Sequence, residues 1–171
     1  LKENALIDTF DAILQAADSI TIGDLVDDQQ LFSEGTGLIA LIADANNDGI
    51  GDVFMQDFED SLIARGQNLT ISGANLRLGN INTSPFVLGD GGSVELLATG
   101  DAILNSVITA SEAAGGRGGD VTIRSGGTIS VPSGVNTSSR GSSGNILITS
   151  QNDLFTGDIT TSSFSVLPSD N

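Results

Sequence analysis

One short theme comes round four times in the second half of this chain: Ile81-Asn82-Thr83-Ser84, Ile108-Thr109-Ala110-Ser111, Val135-Asn136-Thr137-Ser138 and Ile159-Thr160-Thr161-Ser162. Its starts lie 27, 27 and 24 residues apart. A second theme runs between them as Gly-Gly-Ser-Val-Glu-Leu-Leu (91–97), Gly-Gly-Asp-Val-Thr-Ile-Arg (118–124) and Ser-Gly-Asn-Ile-Leu-Ile-Thr (143–149). A repeat of this length with strand-like content leaves few choices: it points to a solenoid, in which each coil contacts only its neighbours.

Anchoring the first strand of each coil gives Ile13, Ile39, Leu69, Val94, Val121 and Ile146, at spacings of 26, 30, 25, 27 and 25 residues. A second series runs through Ile20, Phe54, Leu76, Ile103, Ile129 and Phe155, and the Ile-Asn-Thr-Ser theme supplies a third. Three short strands per coil, with Gly, Ser, Asn and Asp at the corners, describe a parallel β-helix of about six coils. Long helices fit poorly, because interior Gly and Ser at this density would cost roughly 0.5–1 kcal/mol at many positions. The segments after each Ser, at 85–93, 112–120 and 139–145, recur at one angular position and should form a ridge of loops.

The chain fits a single domain, 1–171, with a weaker first coil or cap over 1–35, regular coils over 36–164 and a tail at 165–171. Leu6, Phe10, Ile13, Leu14 and Ala17 fall at helical spacing, yet Ile13-Leu14-Gln15-Ala16 also suits a strand. The strand is preferred, because Ser19-Ile20-Thr21-Ile22 alternates directly after it; a short helix or irregular cap is the competing reading.

The formal net charge of −16 and pI near 4.1 disfavour nucleic acid and anionic membrane as partners. Residues 1–66 hold 14 acidic side chains against Lys2 and Arg65, whereas residues 67–171 hold 8 against 4 Arg. The absence of His and Cys removes Ser-His-Asp and Cys-His catalysis and the usual zinc ligands. No apolar run reaches the roughly 18 residues of a membrane span, so no membrane insertion is expected. A start at Leu1 without Met suggests a piece of something longer.

The one long spacing contains Asp44-Ala45-Asn46-Asn47-Asp48-Gly49-Ile50-Gly51-Asp52. Asp44, Asn46, Asp48 and Asp52 stand at positions 1, 3, 5 and 9 of an EF-hand-like loop, with Gly49 at position 6 and the Ile50 carbonyl at position 7. Oxygen ligands at this spacing suit calcium, because the Gly bend lets alternate side chains converge on one cation. Position 12 is Met55, so the bidentate carboxylate is missing. The competing reading is an Asp/Gly-rich turn whose side chains bond their own backbone.

Catalysis has thinner support. A lyase would want carboxylates clustered around calcium beside a basic side chain, and a glycosidase a pair flanking the bond. Arg65, Arg77, Arg117, Arg124 and Arg140 beside Glu95, Asp101, Asp120 and Asp153 are spread over different coils, so no enzyme is expected. Thr83, Ala110, Thr137 and Thr161 fall in one column, which as an outward ladder would suggest ice or glycan binding; the Ala counts against a regular lattice.

The run from Ala43 to Asp52, followed by Asn68-Leu69-Thr70-Ile71-Ser72-Gly73-Ala74-Asn75-Leu76 and Leu78-Gly79-Asn80-Ile81-Asn82-Thr83-Ser84, resembles the repeat region of cyanobacterial filamentous-haemagglutinin-like proteins. The later Gly-Gly-x-Val and Gly-x-Ile blocks resemble it too. The likeness weakens before about residue 35. It implies a right-handed parallel β-helix, export by two-partner secretion, and display at or beyond the outer membrane. The expected role is a structural or adhesive segment of a secreted surface fibre, whose partners are flanking segments or further copies in an oligomer or filament, and a glycan or other cell-surface ligand. The alternatives are a carbohydrate-active β-helix enzyme and a calcium-dependent assembly module.

Overall fold

The structure, a computed structural model, describes residues 6–8, 11–25, 30–35 and 37–163. Among these residues the chain forms strands and no helix, and every strand pairing is parallel. The strands fall on three faces of a parallel β-helix. Face one stacks β2 (Ala12–Gln15), β5 (Ile39–Ile42), β8 (Leu69–Gly73), β10 (Val94–Ala98), β12 (Val121–Ser125) and β15 (Ile146–Ser150). Face two stacks β3 (Ile20–Ile22), β6 (Val53–Met55), the first halves of β9 (Leu76–Asn82) and β11 (Ala102–Ile108), then β13 (Ile129–Val131) and β16 (Leu154–Thr156). Face three stacks β1 (Leu6–Asp8), β4 (Gln30–Gly35), β7 (Ser61–Arg65), the second halves of β9 and β11, β14 (Val135–Asn136) and β17 (Ile159–Thr160). The six strands of face one mark five complete turns. The residues preferred as strand near the amino end do form β2 and β3. No helix among the described residues is long and apolar enough to cross a membrane.

Alternation decides which side chains enter the core. In β8 and β10, Leu69, Ile71, Val94 and Leu96 point inward and are almost wholly buried, while Thr70 and Glu95 point outward. Leu76, Leu78, Leu104, Ile123 and Ile129 continue the same narrow core. Removing each such side chain from water contributes about 1.5–3 kcal/mol.

Register corrects three of the expected columns by one residue. Ile39 pairs with Ala12 rather than Ile13. On face two, the residues in the row of Ile20, Leu76 and Ile129 are Val53, Ala102 and Leu154, so Phe54, Ile103 and Phe155 belong to the outward row. In the third series Ile81 and Val135 both pair with Val107, not Ile108. A slip of one residue turns a side chain to the opposite face: Ala102 is fully buried whereas Ile103 is 39% exposed. β4 is a further correction, since its polar sequence gave no strand expectation, yet it pairs with β7 from Gln30↔Ser61 to Glu34↔Arg65.

Two corners are stitched by side chains. Where face one turns into face two, the Ser19 hydroxyl accepts from the Asp52 N–H, Asp52 Oδ1 from Asn75, Asn75 Oδ1 from Asp101 N–H, and Asp101 Oδ1 from Thr128 N–H, at 2.7–3.0 Å. Where the chain enters face one, Asp11 Oδ1 accepts from Leu38 N–H, Asn68 Oδ1 from Ser93 N–H, Ser93 Oγ from Asp120 N–H, and Asp120 Oδ1 from Asn145 N–H. Carboxylate acceptors give the stronger of these bonds. Several acidic residues of this chain therefore serve backbone N–H groups.

Candidate functional site

The Asp44–Asp52 loop leaves the helix at the corner between faces one and two, where other coils turn within a few residues. Asp44 and Asn47 have positive φ values of 51° and 56°. Short polar side chains tolerate that region by bonding locally. Asp44 is 7% exposed, and its carboxylate accepts the N–H groups of Asp48 at 2.9 Å and Gly49 at 3.1–3.2 Å. Asp48 Oδ1 accepts from Ile50 N–H at 2.9 Å and its Oδ2 from Asn46 Nδ2 at 2.8 Å. Gly51 is required by contact: a Cβ there would stand 2.6 Å from the Asp44 nitrogen and 2.7 Å from the Asp18 carbonyl.

The five residues expected to ligate calcium thus stay within one loop, where the Asp44 and Asp48 carboxylates accept from the loop's own backbone. Asp44 closes its own turn, and Asp52 Oδ1 reaches across to Asn75. Among the described residues, no group of three or more Asp, Glu, His or Cys is placed to hold a metal ion.

The loop ridge stands at the third corner, between faces three and one. Hydrogen bonds between successive coils stack the loops, from Gly91 N–H to the Arg117 carbonyl, Gly118 N–H to Ser142, and Ser111 N–H to Ser138. At the base of each loop a buried Thr closes it. Thr83, Thr109 and Thr137 are fully buried, and their hydroxyls donate to the carbonyls of Gly92, Gly119 and Gly144 at 2.5, 2.6 and 2.9 Å. The same glycines return their N–H to the Thr carbonyls at 2.9–3.1 Å. Each loop is therefore held by a two-point clasp. A Cβ on Gly92, Gly119 or Gly144 would overlap the backbone carbonyl of the preceding coil, at Gln67, Gly92 and Gly119 respectively.

This corrects the expected Thr column. Register places Thr109, not Ala110, beside Thr83 and Thr137, and the threonines face the core instead of forming an outward ladder. A sequence signal existed, namely a Gly nine, ten or seven residues after each Thr. Where no loop extends, Ala64 occupies the equivalent row and Gln67 N–H bonds its carbonyl directly.

The ridge is chemically uneven. Its first loop exposes Phe86, Val87 and Leu88 at 72%, 68% and 79%, with the Arg65 guanidinium 4.2 Å from the Phe86 ring centre. The second and third loops carry an exposed ion pair, Arg140 to Glu112 at 3.7 Å, and Arg117 Nε donates to Ser142 Oγ at 3.1 Å. Arg77 lies over the Phe54 and Phe58 rings, and Asp101 and Asp120 serve the corner ladders. Asp60 is a buried acid. It is fully buried, its Oδ2 accepts from Leu25 N–H at 3.0 Å, and its Oδ1 has no hydrogen-bond partner.

No protein-family model matches this chain, and neither curated proteins nor solved structures give a significant match.

Proposed function

We propose that this chain is a non-catalytic shaft segment of a secreted bacterial surface fibre of the filamentous-haemagglutinin-like kind, holding a ridge of loops toward a glycan or protein ligand on another surface. The observation that carries this reading is the clasped ridge. Loops at 84–91, 110–118 and 138–143 are stacked on one another and pinned at their bases by Thr83, Thr109 and Thr137. A rigid scaffold carrying exposed, chemically varied loops is the usual arrangement of a binding surface. The resemblance of the repeat blocks to such fibres and the acidic surface, which resists non-specific association, agree with it.

Antibody against the purified chain should label intact, unpermeabilised producing cells, and external protease should remove the label. A label seen only after lysis would overturn the surface assignment. Replacing 84–91 by a tight turn should abolish adhesion to a glycan-coated surface while leaving the β-sheet circular dichroism in place; unchanged adhesion would remove that loop from the binding role.

A further inference from the structure

The two ends of the helix are not flush. Among the described residues, faces one and two carry six strands each, and face three carries seven, the additional one being β1. In every inner coil the inward residues aim their N–H groups toward the next coil, as Val121 N–H bonds the Asn145 carbonyl and Ile129 N–H bonds that of Asp153. In the last described coil, Ile146 and Leu154 occupy these positions, and among the described residues β15 and β16 each pair on one side only. Their backbone groups therefore aim off the carboxyl end, and those of Asp11 and Ser19 aim off the amino end.

We infer that the carboxyl-terminal coil is a docking surface for the amino-terminal coil of a second copy, and that β1 is the stop that must move before the copies stack. The lengths agree: eight residues separate Asn145 from Asp153, and eight separate Asp11 from Ser19. The corner ladders continue in the same sense. Asn145 already bonds Asp120 as Asn75 bonds Asp52, and its Oδ1 corresponds to the Asn75 oxygen that takes the next coil's N–H, a place the partner's Asp11 backbone fills. Asp153 stands in the row of Asp101 and would take the Ser19 N–H. Apolar side chains meet as well. Leu147 and Leu154 are 47% and 46% exposed at one end, Ile13 and Leu14 58% and 43% at the other.

β1 opposes this junction. Pairing places Leu6 in the row of Ser33, Ala64 and the three clasp threonines, a row that ends at Thr161. When β2 and β3 of a second copy sit on β15 and β16, its β1 falls on residues 161–163 of the first. Both cannot occupy the row. This inference goes beyond the surface-shaft reading and stands whether or not the chain is displayed on a cell.

Sedimentation velocity and negative-stain microscopy of the purified chain test it. Removal of residues 1–10 should start assembly at about tenfold lower protein concentration than the whole chain needs, because a docking state that is rarely open weakens apparent affinity in proportion. The particles should lengthen at constant width, and salt should favour them by screening like charge. In the whole chain, Ile7→Cys with Glu34→Cys joins paired positions of β1 and β4; the oxidised form should stay monomeric and the reduced form should assemble. Leu154→Pro should block stacking by the shortened chain, since it removes an N–H aimed off the end. A shortened chain that stays monomeric at every concentration and salt, or an oxidised double-cysteine chain that assembles like its reduced form, would overturn the inference.

Discussion

Two kinds of excursion leave the same β-helix and are held by different means. The ridge loops are each clasped at the base by a buried Thr and a Gly of the same loop, and that Gly packs on the adjoining coil, which also supplies backbone bonds to the loop. The Asp44–Asp52 loop has no stacked counterpart and closes mostly on itself, through the Asp44 and Asp48 carboxylates. A periodic loop inherits its support from the solenoid, whereas a solitary one must carry its acceptors in its own sequence.

Substitutions can break this contrast. The largest effect is expected from Gly119→Ala, which drives a Cβ into the Gly92 carbonyl of the adjacent coil and should cost about 3 kcal/mol or more in guanidinium unfolding. Asp44→Ala comes next, at about 2–3 kcal/mol, because it removes charge-assisted bonds to two N–H groups and leaves Ala at positive φ. Thr109→Val keeps the shape but leaves the Gly119 carbonyl without its hydroxyl donor, and should cost about 1–2 kcal/mol by the same assay. An Asp44→Ala effect smaller than that of Thr109→Val would mean that the solitary loop, too, leans on its surroundings. Asp48→Ala, which loses an exposed turn bond, should cost only about 0.5–1 kcal/mol. Calorimetry gives the sharpest reading of that residue. A calcium site at this loop predicts a stoichiometric calorimetric signal that Asp48→Ala removes, and a titration left unchanged by that substitution would sink the cation reading.

The coil length, the three strands per coil and the positions of the loops were legible because the Gly-Gly-x-Val and Ile-x-Thr themes recur where chain and core demand the same residues. Register was less so. Anchoring on bulk selected Phe54, Ile103 and Phe155, but the narrow core admits Val53 and Ala102 beside them and leaves Ile103 partly outside. Polarity misled in the other direction: the clasp threonines were assigned to the surface, although a hydroxyl with a carbonyl partner is at home in the core. The Asp44–Asp52 spacing is compatible with both a calcium loop and an Asp-rich turn.

The corner ladders of face one have a sense along the chain. At both corners the side-chain acceptor sits on the earlier coil and the N–H donor on the later one, from Asp11 with Leu38 through Asp101 with Thr128 to Asp120 with Asn145. A chain delivered amino end first would therefore meet a waiting acceptor each time a new coil forms, while one delivered in the opposite order would leave those corner N–H groups unpaired until the preceding coil arrived with its acceptors. The stitching gives this β-helix a polarity along its axis, written in the placement of Asp and Asn.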